Sequence, residues 1–138
     1  MKARTLFAAA LWLSSSTTAV AMCDAPYTRA EVVADIGVLT VSLRDLELDA
    51  FDVAAQRMES RLVCIKETLP PLVFASAYRY IGTYHYFQGD TPTAESWLRT
   101  ALEIDPGFAW DVSQLGEEHP LRTVMAKARV EAQSSPVA

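Results

Sequence analysis

The chain has 138 residues, of which 51% are hydrophobic and 21% are charged, and its formal net charge is −5 at pH 7. This length suits one small domain, and this hydrophobic content supplies a packed core, which excludes a wholly disordered chain. An acidic chain without a basic cluster is a poor candidate for binding nucleic acid, whose phosphates must be neutralised, or an anionic membrane surface.

The first 21 residues have the pattern of a secretory signal peptide. Lys2 and Arg4 form a positive start, residues 6–13 are a short apolar stretch, and residues 19–21 read Ala-Val-Ala, a cleavage signal. The apolar stretch is too short for a membrane-spanning helix, which takes about 20 residues. We therefore expect cleavage after Ala21, a secreted or periplasmic protein, and no stable membrane insertion afterwards.

Cleavage would make the remaining chain more acidic and would leave a cysteine near its new N-terminus. Loss of two basic residues takes the basic count from 12 to 10 against 17 acidic residues, a net charge of −7. Cys23 lies two residues beyond the cut, which raises a lipoprotein as an alternative. Met22 and Val20 stand where a lipoprotein signal needs a small residue and usually a leucine, so the sequence favours simple cleavage.

Residues 28–69 are predicted to form an antiparallel helical hairpin. Thr28 and Glu31 have the spacing of a capping box at a helix start. A stripe at helical spacing follows: Val32, Val33, Ile36, Leu39, Leu43 and Leu46. Gly37 lies within this run and costs about 1 kcal/mol of helix stability relative to alanine. The alternative is that this glycine lets a neighbouring helix approach closely. A second stripe begins at Phe51 and ends before two consecutive prolines.

The predicted mature chain has two cysteines, Cys23 and Cys64. Cys23 precedes the first helix and Cys64 lies in the last turns of the second, so a hairpin would bring them together at its open end. Export favours a disulfide between them, which the chain-entropy model values at about 3–4 kcal/mol. The alternative is that Cys64 packs as a small apolar residue without a bond.

The stretch Ala75–Pro106 is predicted to form two amphipathic helices joined by a tight polar turn. Pro71 suits the first turn of the first helix, and residues 88–90 (Gln-Gly-Asp) end it. Thr91 is the expected cap of the second helix, with Pro92 at its first helical position.

This stretch resembles the tetratricopeptide repeat, a helix–turn–helix unit of 34 residues with the pattern W-x2-L-G-x2-Y…A-x3-F…P. The positions in register with that pattern are Tyr78, Ile81, Gly82, His85, Ala94, Leu98, Ala101 and Pro106. Gly82 and the two alanines would let the helices approach closely, and Pro106 would end the second helix. Tyr78, Ile81 and His85 depart from the pattern but keep a bulky, mostly apolar body. The resemblance covers roughly a quarter of the chain.

One such repeat cannot bury both of its faces, and about three are normally needed. The resemblance therefore implies an all-α fold of antiparallel helical hairpins, stacked as a short tetratricopeptide-like solenoid of about five helices. Its expected parts are a domain at 22–133, a divergent N-terminal hairpin at 28–69, the repeat-like unit at 71–106, a C-terminal capping helix at 119–133 and a tail at 134–138. Phe108 and Trp110 are expected in a loop that covers the exposed end of the repeat.

In the family, the first helix of each repeat lines a concave groove that binds extended peptides or helices. The register places four residues of this chain on that face: Ser76, Arg79, Thr83 and Tyr86. Arginine and tyrosine are frequent binding anchors. The alternative is that aromatic residues of this helix fill gaps between helices, which is the expectation for Tyr78, Tyr84 and Phe87.

No motif of a catalysed reaction or a cofactor is present, since the chain lacks a nucleophile elbow, a phosphate-binding glycine loop and a CxxC pair. An alternative is a small exported enzyme or metal-binding protein that uses Glu117, Glu118 and His119, with His85. The HExxH spacing is absent, and adjacent loop residues seldom supply a full ligand set. His85 is therefore expected to pack in the core.

The sequence thus predicts an exported, non-enzymatic protein–protein interaction module, with an accessory or assembly role in the cell envelope as one option. The expected partner is a protein or peptide, and no catalytic residue, metal or cofactor is predicted. A subunit whose aromatic helix is buried in an oligomer is a further reading.

Overall fold

The computed structural model describes residues 23–134, and this part of the chain is all-α. The helices are α1 (Arg29–Arg44), α2 (Leu48–Arg61), α3 (Pro71–Phe87), α4 (Thr91–Ile104) and α5 (Pro120–Ser134), with a 3₁₀ turn at Leu62–Cys64 after α2. Between residues 23 and 134 there is no strand, so the predicted all-α class is confirmed. The predicted signal peptide and the tail from residue 135 onward lie outside the described residues.

The helices pack as antiparallel hairpins. α1 packs against α2, α3 packs against α4, and both helices of the first hairpin contact α3. α5 lies on the other side of the stack, against α4. The core runs between these layers, and its largest fully buried side chains include Tyr27, Leu39, Leu43, Phe51, Met58, Ile81, Leu98 and Leu121.

Local side-chain chemistry sets the helix starts. Glu31 N donates to Thr28 Oγ1 at 3.2 Å and Thr28 N donates to Glu31 Oε2 at 2.8 Å, which is the predicted capping box. The predicted cap of α4 is wrong by one residue: Thr91 is the first helical residue, and Asp90 Oδ1 accepts from Thr93 N at 3.2 Å. A carboxylate at this position also complements the helix dipole.

The predicted disulfide between Cys23 and Cys64 closes the open end of the first hairpin, with Cα atoms 5.5 Å apart. Beside it Tyr27 N donates to the carbonyl oxygen of Cys64 at 3.0 Å. The buried Tyr27 hydroxyl donates to Asp35 Oδ2 at 2.5 Å, and Asp35 also forms an ion pair with Arg57 of α2. Covalent, backbone and side-chain bonds therefore hold the start of α1 to the end of α2.

Two helical glycines have opposite surroundings. A Cβ atom at Gly82 would lie 3.0 Å from Leu98 Cγ and 3.2 Å from the carbonyl oxygen of Ala94, so the predicted close approach of α3 and α4 is present. A Cβ atom at Gly37 would meet nothing within 4 Å. No neighbouring helix of residues 23–134 approaches Gly37, so packing within this part of the chain does not require a glycine there.

Candidate functional site

The α3 face that the sequence predicts as a binding groove is covered by the connection between α4 and α5, residues 105–119. The guanidinium carbon of Arg79 lies 3.4 Å from the ring centroid of Phe108. Further along α3, the ring centroids of Tyr86 and His119 are 6.2 Å apart. The loop aromatics thus lie along α3, rather than only at the end of the repeat-like unit as the sequence suggested.

The four predicted binding residues lie on this covered face of α3. Thr83 is fully buried, and its hydroxyl donates to the carbonyl oxygen of Arg79 at 2.9 Å. Arg79 is buried and donates to Ser76 Oγ at 3.2 Å, whereas Ser76 and Tyr86 are half-buried. Binding at this face stays a prediction, and it would require the connection to move.

Two arginines of α5 hold the connection in place. Arg122 donates to the carbonyl oxygens of Trp110, Leu115 and Gly116, and Arg129 donates to those of Pro106 and Phe108. These side chains satisfy loop carbonyl groups that have no helical partner, which is what lets an irregular segment lie against the core. The connection is therefore held in a defined position by hydrogen bonds from α5.

Arg79 has an unusual environment for a charged group. Its guanidinium faces the ring of Phe108, with the ring centroid of Trp110 at 5.6 Å. No ion pair reaches it within residues 23–134, and its buried Nε has no hydrogen-bond partner there. Burial lowers the pKa of Arg79 below its ordinary value. Trp110 Nε1 is a second buried donor without a partner in the described part, so this is a place where an ordered water or another oxygen would be accepted.

The repeat-pattern residues on α3 pack against neighbouring helices. Tyr78 lies 5.4 Å from Trp97 of α4 between ring centroids. His85 is half-buried, and its Nε2 lies 2.8 Å from Glu59 Oε1 of α2. His85 therefore links two layers of the stack through a polar contact, which sequence periodicity alone did not reveal.

The cluster at the start of α5 does not form a metal site. Glu117 and Glu118 are exposed, and His119 Nδ1 accepts from Leu121 N at 3.1 Å, so His119 caps α5. No group of three or more histidine, cysteine or acidic side chains within residues 23–134 could hold a metal ion. The alternative function based on this cluster has no geometric support there.

α1 carries apolar residues on two opposite faces. One face lies in the core and includes Val32, Leu39 and Leu43. The other, here called the outer face of α1, consists of Ala30, Val33, Ala34, Gly37, Val38 and Val41, all exposed or partly exposed. Its valines are 50%, 44% and 44% exposed in chain order. A helix exposed on one side normally carries polar residues there, and contiguous apolar patches mark interaction sites.

The outer face continues at both ends. An open concavity of about 640 Å³ at its start is lined by Thr28, Arg29, Ala30, Val33, Ala34 and Glu67. Beyond its end, Leu46 is 75% exposed and has a φ of 57°, a left-handed conformation that favours glycine. Leu48 is exposed as well. A strained leucine in solvent has no packing role within the described residues.

The sequence prediction placed Val33 and Leu46 in the core stripe of α1, and both are exposed. The error arose because apolar residues at helical spacing were all assigned to one face. The available signal was their number, since α1 has more apolar positions than one stripe can hold.

The described residues define a class: a small all-α fold of stacked helical hairpins, closed by a disulfide and bearing an apolar face on α1 that no other described segment covers. Among residues 23–134, no helix is both long and apolar enough to cross a membrane. The chain matches no protein-family model, no curated protein and no solved structure.

Proposed function

We propose that this protein is an exported, non-enzymatic protein–protein interaction module that resembles a tetratricopeptide-repeat domain. The observation that carries this proposal is the outer face of α1. Apolar surface left in water costs roughly 25 cal/mol per Å² relative to burial. A helix that is apolar on both sides is therefore expected to bury its second side against another protein.

Two further observations support the proposal. The fit of Gly82 against Leu98 and Ala94 is the packing that the repeat pattern calls for at these positions. The disulfide between Cys23 and Cys64 suits an oxidising compartment, which supports export after cleavage of residues 1–21.

The covered α3 face is the second proposed contact region. The observation that favours it is Arg79, whose guanidinium has an unpartnered donor and forms no ion pair within the described residues, although the charge of Asp105 acts on it. A peptide carboxylate that displaced Phe108 would provide an ion-pair partner. Ser76, Thr83 and Tyr86 would then line the opened groove.

Photo-crosslinking in the native envelope tests the proposal. A photoreactive amino acid is placed at Val33 on the outer face of α1, which is 50% exposed, and at Val130 of α5, which is 63% exposed, as the control. We expect a protein adduct from Val33 and little from Val130. Adducts of equal yield at both positions, or no adduct at Val33, would contradict the proposal that the outer face of α1 binds a partner protein.

Two additional measurements complete the test. The exported protein should begin at Met22 when its N-terminus is sequenced, and an intact leader would contradict export by cleavage. The variant Arg79→Ala with Tyr86→Ala should retain the Val33 adduct if the outer face is the principal contact. Loss of that adduct in a double variant that still folds would indicate that the principal contact is on α3.

A further inference from the structure

We propose that the partner that covers the outer face of α1 is a second copy of this chain, packed through α1 as an antiparallel helix pair that crosses at Gly37. This inference rests on the proposed function and specifies its occupant. Gly37, the two valines placed symmetrically about it, the charges at the two ends of the face and Leu46 carry the argument.

Gly37 lies in the middle of α1 and in the middle of its outer face. A glycine inside a helix destabilises that helix relative to alanine. No atom lies within 4 Å of the position its Cβ would occupy, so packing within residues 23–134 does not require it. A second helix that crossed here would approach the bare backbone closely, because the distance between helix axes depends on the side chains at the contact. Ala30 and Ala34 on the same face also have small side chains, which would let a second helix approach closely.

Two valines of the outer face are placed symmetrically about Gly37. Val33 and Val41 lie four residues before and after it. In a two-fold antiparallel pair, a residue at a given distance before the centre faces the residue at the same distance after it in the other copy. Valine therefore faces valine, and glycine faces glycine. The centre of the face can therefore pair with itself, as an isologous dimer requires. Further out, Ala34 would face Thr40 and Ala30 would face Arg44 of the other copy.

The charges at the two ends of α1 are compatible with this arrangement. Arg29 and Glu31 lie at one end, and Arg44 and Asp45 at the other. In an antiparallel pair the start of one α1 lies beside the end of the other, so both positive and negative side chains are present at each end of the pair. Arg29 forms no ion pair within residues 23–134. Its guanidinium would reach the end where Asp45 of the second copy lies.

Net charge makes α1 a favourable place for two copies to meet. The predicted mature chain has 10 basic and 17 acidic residues, a net charge of −7, so two copies repel each other. Arg29–Arg44, by contrast, has two arginines, Glu31 and Asp35 and is neutral overall. The pair would be about 24 Å long, because a helix rises about 1.5 Å per residue. A contact of this size is at the small end of specific interfaces, so we expect a weak, concentration-dependent dimer.

Leu46 gives the proposal a specific signature. Its left-handed conformation and its exposure are unfavourable for an isolated copy. Glycine at this position should stabilise the single copy. If Leu46 contacts the second copy, the same change should weaken the dimer. A substitution that raises Tm and lowers association is not expected from a merely structural residue.

Sedimentation equilibrium of the mature protein with its disulfide intact, over a micromolar concentration series, measures association. We expect a monomer–dimer equilibrium whose dissociation constant rises about tenfold or more in Val41→Glu. The matched control is Val53→Glu, because Val53 of α2 is also exposed, at 65%, but lies outside the outer face of α1. It should leave the dissociation constant unchanged. Leu46→Gly should raise Tm and weaken the dimer.

Cysteine crosslinking tests the register. Gly37→Cys should form an intermolecular disulfide on mild oxidation, because this position lies on the two-fold axis, whereas Val53→Cys should not. A mixture of Val33→Cys and Val41→Cys chains should crosslink more rapidly than either chain alone. Equal crosslinking of Gly37→Cys and Val53→Cys would overturn the geometry.

A protein that stays monomeric throughout the concentration series overturns the second-copy proposal, and so does a dimer that Val41→Glu leaves intact. If the dimer fails but Val33 forms an adduct with a different protein in the envelope, the proposed interaction function stands. If no dimer forms and Val33 gives no adduct, the second-copy proposal and the proposed interaction function are both wrong.

Discussion

The two helical hairpins of this protein differ in how completely the chain covers them. α3 and α4 lie between the first hairpin and α5, and the connection 105–119 covers the remaining face of α3. α1 and α2 form the end of the stack, so no other segment of residues 23–134 covers the outer face of α1, and a disulfide closes the end of the hairpin. An inner hairpin can be stabilised by packing on several sides. An end hairpin has fewer neighbours, and here it carries a covalent crosslink and exposed apolar residues.

The largest expected effect comes from removing that crosslink. The double variant Cys23→Ser with Cys64→Ser should lose about 4 kcal/mol of unfolding free energy, since the bond closes a loop with a sequence separation of 41. Urea denaturation measures the loss. Hydrogen exchange should show α1 and α2 opening before α3 and α4. Reduced wild-type protein is the control and should match the variant. Equal stability of oxidised and reduced protein would show that packing alone holds the end hairpin.

The same substitution at two glycines should have opposite effects in the two hairpins. Gly82→Ala forces a methyl group against Leu98 and should destabilise the protein by about 1–3 kcal/mol. Gly37→Ala enters open space and should stabilise the single copy by up to about 1 kcal/mol. Denaturation midpoints at low protein concentration, where a dimer dissociates, measure both. A stabilising Gly82→Ala would mean that α3 and α4 are less closely packed than described.

The bond between Tyr27 and Asp35 predicts a pH dependence of the end hairpin. Burial, followed by the hydrogen bond to Asp35, raises the pKa of the Tyr27 phenol above its ordinary value. Above about pH 10 an unfolded tyrosine loses its proton while folded Tyr27 keeps it, so stability should fall as pH rises, by up to about 1.4 kcal/mol per pH unit. At lower pH the contribution is fully present.

Thermal melts of wild type and Tyr27→Phe between neutral and alkaline pH measure this effect. The difference in Tm between them should shrink as pH rises, because the phenylalanine side chain has no phenolic proton to lose. Tyr78→Phe, at a half-buried tyrosine of α3, serves as the control for the other hairpin. A constant difference between wild type and Tyr27→Phe across the alkaline range would contradict the proposed role of the phenol.

The smallest expected effect is at Arg79. Replacing a buried guanidinium that forms no ion pair among the described residues with a side chain of similar size should change stability little, so Arg79→Met is expected within about 1 kcal/mol of wild type. Arg122→Met should be clearly worse, because three loop carbonyl oxygens lose their donor. A large loss in Arg79→Met and a small one in Arg122→Met, compared by urea denaturation, would reverse the roles assigned to the two arginines.

Features that depend on neighbouring residues in the chain were predictable. The capping box of Thr28 and Glu31, the starts of α3 and α5 at prolines, and the close approach at Gly82 all follow from local spacing, and the structure has them. Cys23 and Cys64 were the only pair available in the predicted mature chain, and a hairpin brought them together. Local chemistry also explains the one-residue error at α4, where Asp90 competes with Thr91 as the cap.

Features that depend on which distant segment lies on which face were decided only by the tertiary structure. Periodicity shows that Val32 and Val33 are both apolar, but only packing against α2 and α3 decides that one is buried and the other exposed. It places Arg79 and Thr83 on a helix face, but only the path of residues 105–119 decides that this face is covered. The physical reason is that side-chain burial is a property of contacts between segments, whereas helix formation and capping are set within a few residues of each site.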